Sequence, residues 1–130
     1  MRKVLIAVLL LAATWSATIS AAPTKTQREL AERLYQQGYQ KGSSGDYKTA
    51  IELFKKALEL NPAHFMAAFN MGGAYEASGD KQRALEQYLA TAVLKPTFIE
   101  AYNQAGTLFL LFKRDYDAAI AQFTSGGFRL

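Results

Sequence analysis

The stretch Met71-Gly72-Gly73-Ala74-Tyr75-Glu76-Ala77-Ser78-Gly79-Asp80-Lys81-Gln82-Arg83-Ala84-Leu85-Glu86-Gln87-Tyr88 decides the fold, because its key residues return at a fixed interval on either side. Gly72 lies between Gly38 and Gly106, and Ala84 between Ala50 and Ala118, each step being 34 residues. Gly79-Asp80 repeats Gly45-Asp46, Tyr88 repeats the aromatic at Phe54, and Pro62 is followed by Pro96 at the same interval. Small residues, aromatics and a closing proline held in phase at this period predict helix-turn-helix units stacked into an all-α solenoid. Such a protein works through a repeated surface rather than through one catalytic cluster.

Each recurring residue has a physical reason. Leu30, Leu34 and Gly38, then Ala50, Ile51, Phe54, Ala57 and Leu58, fall at the spacings of buried helical stripes. Gly45 and Gly79 suit the left-handed conformation that closes a helix, and Asp46 and Asp80 can accept amide hydrogens at the start of the next one. Gly38, Gly72 and Gly106 let two antiparallel helices approach closely against Ala50 and Ala84, while Phe54, Tyr88 and Phe123 are expected to fill the space between successive pairs. Pro62 and Pro96 end each unit, since proline cannot continue a helix but fits the first turn of the next. Three helix pairs are expected, with units at about 31–64, 65–98 and 99–130. Residues 22–27 are expected as a leader to a repeat domain at 28–130, with Thr26 and Glu29 forming a capping box for the first helix.

On these residues the chain resembles the tetratricopeptide repeat family. The second unit supplies Met71, Gly72, Tyr75, Ala84, Tyr88 and Pro96, departing at Ala68 and Thr91; the first supplies Leu34, Gly38, Ala50, Phe54, Ala57 and Pro62, departing at Gln37 and Lys41. The third has Tyr102, Gly106 and Phe109, after which Lys113-Arg114 replaces the glycine turn and lengthens the unit by one residue. Asp115-Tyr116 then aligns with Asp46-Tyr47, and Ala119, Ile120 and Phe123 with Ala50, Ile51 and Phe54. The resemblance implies right-handed superhelical stacking and a concave groove lined by the first helix of each pair. Carried over by phase, the groove positions are Tyr35, Gln36 and Tyr39, then Met66, Phe69, Asn70 and Gly73, then Asn103, Gln104 and Thr107. The competing reading of Tyr35, Met66 and Phe69 is packing between units. The carboxylate clamp of co-chaperones in this family is not expected: only Asn70 matches it, Tyr35 and Tyr39 replace a lysine and an asparagine, and Glu100 and Gln104 replace a basic pair.

The two ends differ from the middle. Arg2 and Lys3 precede the apolar run Val4 to Ala13 and the small residues through Ala22, which is the order of a secretory signal peptide at 1–21. An uncleaved anchor is the alternative, because Val4 to Ala22 approaches the ~20 residues of a spanning helix. The short basic start and the Ala-Ala-Pro junction point to export to a bacterial periplasm; anchoring in the inner membrane facing the periplasm, or secretion, are the alternatives. At the other end, Gly126-Gly127 should stop the sixth helix near Ser125, since two glycines cost a helix about 2 kcal/mol relative to alanine. Leu110, Phe112, Ile120 and Phe123 are then expected to be less covered than their counterparts, so the third unit either belongs to a longer array or associates with a partner or a second copy.

Composition excludes other classes. There is no cysteine, which removes disulfides and thiolate chemistry. The formal charge of +4 counts 15 basic and 11 acidic side chains; without Arg2 and Lys3 the basic count falls to 13 and the charge to +2. A surface so balanced gives nucleic acid no footprint. His64, the one histidine, is expected as a surface turn residue. Gly42-Ser43-Ser44-Gly45-Asp46-Tyr47-Lys48 has phosphate-loop glycines but not the Gly-Lys-Ser/Thr ending, and is read as an interhelical turn. No catalytic, cofactor or metal site is expected. The expected function is a non-catalytic adaptor or assembly factor for a protein or peptide segment, with self-association or service as an enzyme's accessory subunit as alternatives.

Overall fold

A computed structural model describes residues 21–128. The signal-peptide expectation falls on residues outside that range. The described chain contains six α-helices: α1 (Lys25–Ser43), α2 (Tyr47–Leu60), α3 (Phe65–Ala77), α4 (Lys81–Leu94), α5 (Ile99–Leu108) and α6 (Tyr116–Ser125). A π-helical turn, Phe109–Lys113, continues α5. Each helix packs on the next, and α1 also touches α3, as stacked pairs require. Among the described residues no helix is long and apolar enough to cross a membrane.

Helix starts follow the capping chemistry. Asp46, Asp80 and Asp115 accept the backbone N–H of Thr49, Arg83 and Ala118 at 3.2, 3.0 and 3.0 Å, which satisfies an amide that the first turn leaves unpaired. At α1 the expected box is displaced. Thr24 and Gln27 exchange the two bonds, at 3.2 and 2.8 Å, so α1 opens two residues before the Thr26–Glu29 arrangement and inside the expected leader.

The three pairs share one internal contact. A Cβ placed on Gly38 would lie 2.8 Å from the Phe54 ring; on Gly72, 2.8 Å from the Tyr88 ring; on Gly106, 2.7 Å from the Phe123 ring. No real side chain tolerates such distances, so glycine at these phases sets how closely each pair closes. Ala31, Ala50, Ala57, Ala67, Ala84, Ala101 and Ala105 are fully buried around these rings. Thr91, where the family has alanine, is also fully buried and stays satisfied because its Oγ1 donates to the Gln87 carbonyl at 2.7 Å.

The extra residue of the third unit resolves into the π turn. In the first two turns the aspartate N–H reaches five residues back, from Asp46 to Lys41 at 2.9 Å and from Asp80 to Tyr75 at 2.8 Å. In the third, Asp115 reaches six back, to Phe109, at 2.9 Å. Lys41, Tyr75 and Phe109 are in register, so the insertion lies between Phe109 and Asp115, where a π bulge absorbs one residue without unwinding the helix. Arg114 takes the left-handed place (φ 53°) held by Gly45 (φ 86°) and Gly79 (φ 93°). The shifted alignment holds: Ala118, in phase by bare counting, is half-covered, whereas Ala119 is the buried equivalent of Ala50 and Ala84. Helix α6 ends at Ser125 as expected, with Gly127 left-handed and the Phe128 N–H returning to the Phe123 carbonyl at 2.9 Å.

Candidate functional site

The groove positions occupy one face of α1, α3 and α5, and the structure divides them into two groups. Tyr35 and Phe69 pack between units. The Tyr35 ring centre lies 6.0 Å from Phe54 and 4.8 Å from His64; Phe69 lies 5.4 Å from Tyr88 and 4.9 Å from Phe98. These are the same contact one period apart, which favours the packing reading of both residues. Met66 is half-covered. Gln36, Gly73, Asn103 and Gln104 are exposed, Thr107 is half-covered, and Tyr39 presents 52% of its surface. Asn70 bridges the two groups, donating Nδ2 to the Tyr35 hydroxyl at 3.1 Å across α1 and α3. Burial, then the Glu32 charge, raise the Tyr35 hydroxyl pKa above its ordinary value, against the lowering effect of the bond from Asn70.

His64 departs from the surface-turn expectation. Its side chain is only 11% exposed, and it serves as the N-cap of α3: Nδ1 accepts the Ala67 N–H at 3.2 Å while Nε2 faces Glu32 Oε2 at 3.0 Å. The cap requires an unprotonated Nδ1, which leaves the proton on Nε2 to donate to the carboxylate. Glu32 also accepts from Gln36 Nε2 at 2.7 Å, and this bond, with the bond to His64, holds its carboxyl below the usual range against the opposing effect of partial burial. The partners are 32 residues apart, so sequence spacing gave no sign that this histidine meets a carboxylate.

A pocket of about 220 Å³ opens on the groove between the first unit and α3. Its walls are Tyr39 and Gly42 of α1, Tyr47 and Phe54 of α2, and Asn70 and Gly73 of α3. Only Tyr39, Asn70 and Gly73 among these were legible as groove positions. One period on, the places of Gly42 and Phe54 are held by Glu76 and Tyr88, and the Tyr88 hydroxyl donates to Glu76 Oε2 at 2.8 Å. Burial, then the Glu76 carboxylate, push the Tyr88 hydroxyl well above the ordinary tyrosine range, so the hydroxyl keeps the proton that it donates to that carboxylate. The three inner helices carry Glu29, Glu32, Glu76 and Glu100 together with Lys25, Arg28, Arg33 and Lys41. Arg28, at the far end of α1, is tied to the Pro23 carbonyl at 2.6 Å.

Comparison with known proteins agrees with this architecture. A family model described as tetratricopeptide repeat matches residues 29–105. Mouse tetratricopeptide repeat protein 28 is 30% identical over 104 residues, 80% of this chain but only 4% of that protein's length. The crystal structure of the Sgt2 TPR domain from Aspergillus fumigatus superposes with a TM-score of 0.68 at 28% identity, over 81% of this chain and 66% of that one. The second TPR of Spaghetti (RPAP3), bound to the HSP90 peptide SRMEEVD, gives a TM-score of 0.72 at 19% identity, over 79% and 96% of the two chains. With the glycine–aromatic contact repeated three times, the family model matching more than half of the residues and the solved folds superposing, the chain belongs to the tetratricopeptide repeat family.

Proposed function

We propose that this protein is a non-catalytic adaptor or assembly factor that holds a segment of another protein in the groove lined by α1, α3 and α5. The observation that carries this reading is the row of exposed side chains, Gln36, Tyr39, Asn103 and Gln104, standing beside a wall of packed aromatics. Rings such as Tyr39 offer contact area at low entropic cost, and amides can pair with the backbone of a bound segment. The RPAP3 domain, bound to an HSP90 peptide, is a member of the same fold seen with such a ligand. A terminal carboxylate is not the expected anchor here, because Glu100 and Gln104 stand where that clamp needs basic side chains. Replacing Tyr39 and Asn70 together by alanine should weaken partner capture while leaving helical content unchanged; equal capture by parent and variant would move the site elsewhere.

The protein acts, in this reading, outside the cytoplasm, most simply in a bacterial periplasm. The order of Arg2-Lys3, apolar run and small residues supports it. N-terminal sequencing of protein from its native compartment should begin at Ala22 or Pro23, and Met1 retained in a membrane fraction would favour an anchor instead.

Self-association is a second reading, supported by the apolar surface of the third unit. Leu111 is 71% exposed and Phe128 60%, and Leu110, Phe112, Tyr116 and Ile120 are exposed around them. An apolar cluster of this kind marks an interaction surface or an aggregation risk. Sedimentation over a concentration series should show association that Leu111→Glu removes; a monomer at every concentration would refute it.

A further inference from the structure

The nine glycines of the chain can each be asked why they are glycine. Gly38, Gly72 and Gly106 face an aromatic ring, and Gly126 faces Tyr102, whose Cβ would lie 3.1 Å from an added Cβ. Gly45, Gly79 and Gly127 serve helix-closing turns. Gly42 and Gly73 have no such reason. A Cβ on Gly42 would meet only Ala50 at 3.7 Å, and one on Gly73 only the Tyr88 hydroxyl at 3.9 Å, both ordinary contacts. Both lie within helices, where glycine costs up to about 1 kcal/mol relative to alanine. They line the same pocket.

That pocket exists because the first unit omits what the second contains. Glu76 and Tyr88 form a hydrogen-bonded pair, whereas Gly42 has no side chain to offer and Phe54 no hydroxyl. The space left is about 220 Å³. It is smaller than the ~300–1,000 Å³ of sites for whole small molecules. It exceeds the ~150 Å³ cavity that holds a benzene ring. Tyr39, Tyr47 and Phe54 supply three aromatic walls, suited to the tilted and edge-on contacts a fourth ring prefers. None of these lining side chains carries a charge, so the contact the pocket offers is apolar and aromatic.

We propose that this pocket receives one aromatic side chain of a bound protein segment, and that Gly42 and Gly73 are glycine to keep it open. The inference rests on the groove reading above and narrows the partner to a segment with an aromatic anchor. It also predicts opposite effects on stability and binding, which a purely structural role for these glycines would not produce.

The test selects 12-residue peptides from a random displayed library on the full chain. Selected peptides should converge on a single Trp, Tyr or Phe. Replacing that aromatic by alanine should weaken binding by about tenfold or more, the scale of an anchor in a buried pocket. Gly73→Leu, which fills the space, should lose affinity to the same extent without lowering the thermal midpoint. Gly73→Ala, the milder variant if leucine impairs folding, should raise the midpoint slightly and still weaken binding. Peptides that lose affinity for Tyr39→Ala but bind Gly73→Leu and Gly73→Ala as well as the parent would overturn the pocket and leave the groove standing. Selection of peptides without an aromatic would likewise overturn the proposal. Binding indifferent to Tyr39, Asn70 and Gly73 alike, or no enrichment at all, would overturn both readings.

Discussion

The second and third units carry the same internal contact and differ in what covers it. Gly72 meets Tyr88 and Gly106 meets Phe123 at nearly the same distance, yet Tyr88 is buried while Phe123 is half-covered. The next positions diverge further, with Leu85 at 4% exposure and Ile120 at 48%. The second unit is held between α2 and α5, whereas the described part of the third has a neighbouring pair on one side only. A unit's own sequence therefore fixes how its two helices close, and its neighbours decide how much of that closure is buried. In a stacked array stability is approximately the sum of these two terms.

Truncating the aromatic should separate them most widely. Tyr88→Ala should cost about 3–5 kcal/mol, as deletion of a buried ring does. Phe123→Ala should cost only about 1–2 kcal/mol, because less area leaves water on folding. Urea denaturation of the two variants measures the gap, and equal losses would break the comparison. Overpacking sharpens it from the other side: Gly72→Leu should destabilise by about 1–3 kcal/mol, and Gly106→Leu by less, since the Phe123 ring has room to move. No difference between them would mean that Phe123 is as confined as Tyr88.

The turns offer a smaller contrast. Arg114 occupies a left-handed position that costs a non-glycine residue about 1–2 kcal/mol. Arg114→Gly should accordingly raise the thermal midpoint of the third unit, whereas Gly79→Ala should lower that of the second. Least affected should be Glu32→Gln, outside both units. With the Glu32 carboxylate more than half exposed, such a pair contributes about 1 kcal/mol or less. The folded Glu32 carboxyl titrates below its ordinary value of 4.5. Its contribution is therefore complete above that pH and lost as pH falls through the folded value, so the variant should differ from the parent at neutral pH and converge with it in acid.

What was legible in the sequence was whatever the repeat enforces locally. The glycine–aromatic phases, the aspartate caps and the stop at Ser125 are contacts or conformations within one unit, and each has a residue type that nothing else replaces. The π turn was visible only as a surplus residue at Lys113-Arg114; which backbone absorbs it depends on keeping Phe109 and Phe123 in register, a tertiary demand. His64 was misplaced because its two partners, Ala67 and Glu32, become adjacent only when α1 and α3 stack. For the groove, periodicity found the face but not the depth. Tyr35 and Phe69 share a phase with Asn103, and only packing shows that the aromatics turn into the wall. The pocket escaped notice because it is made by a missing pair, readable only by setting Gly42 and Phe54 against Glu76 and Tyr88.

The claim on which the functional account depends is that partners are held on the inner face of α1, α3 and α5. A photo-crosslinking residue placed in turn at Gln36, Gln104, Glu52 and Glu86 tests it in the native compartment, since all four positions are exposed and the last two lie on the outer helices α2 and α4. The account predicts partner adducts from Gln36 and Gln104 and none from Glu52 or Glu86. Adducts from the outer positions alone would contradict it.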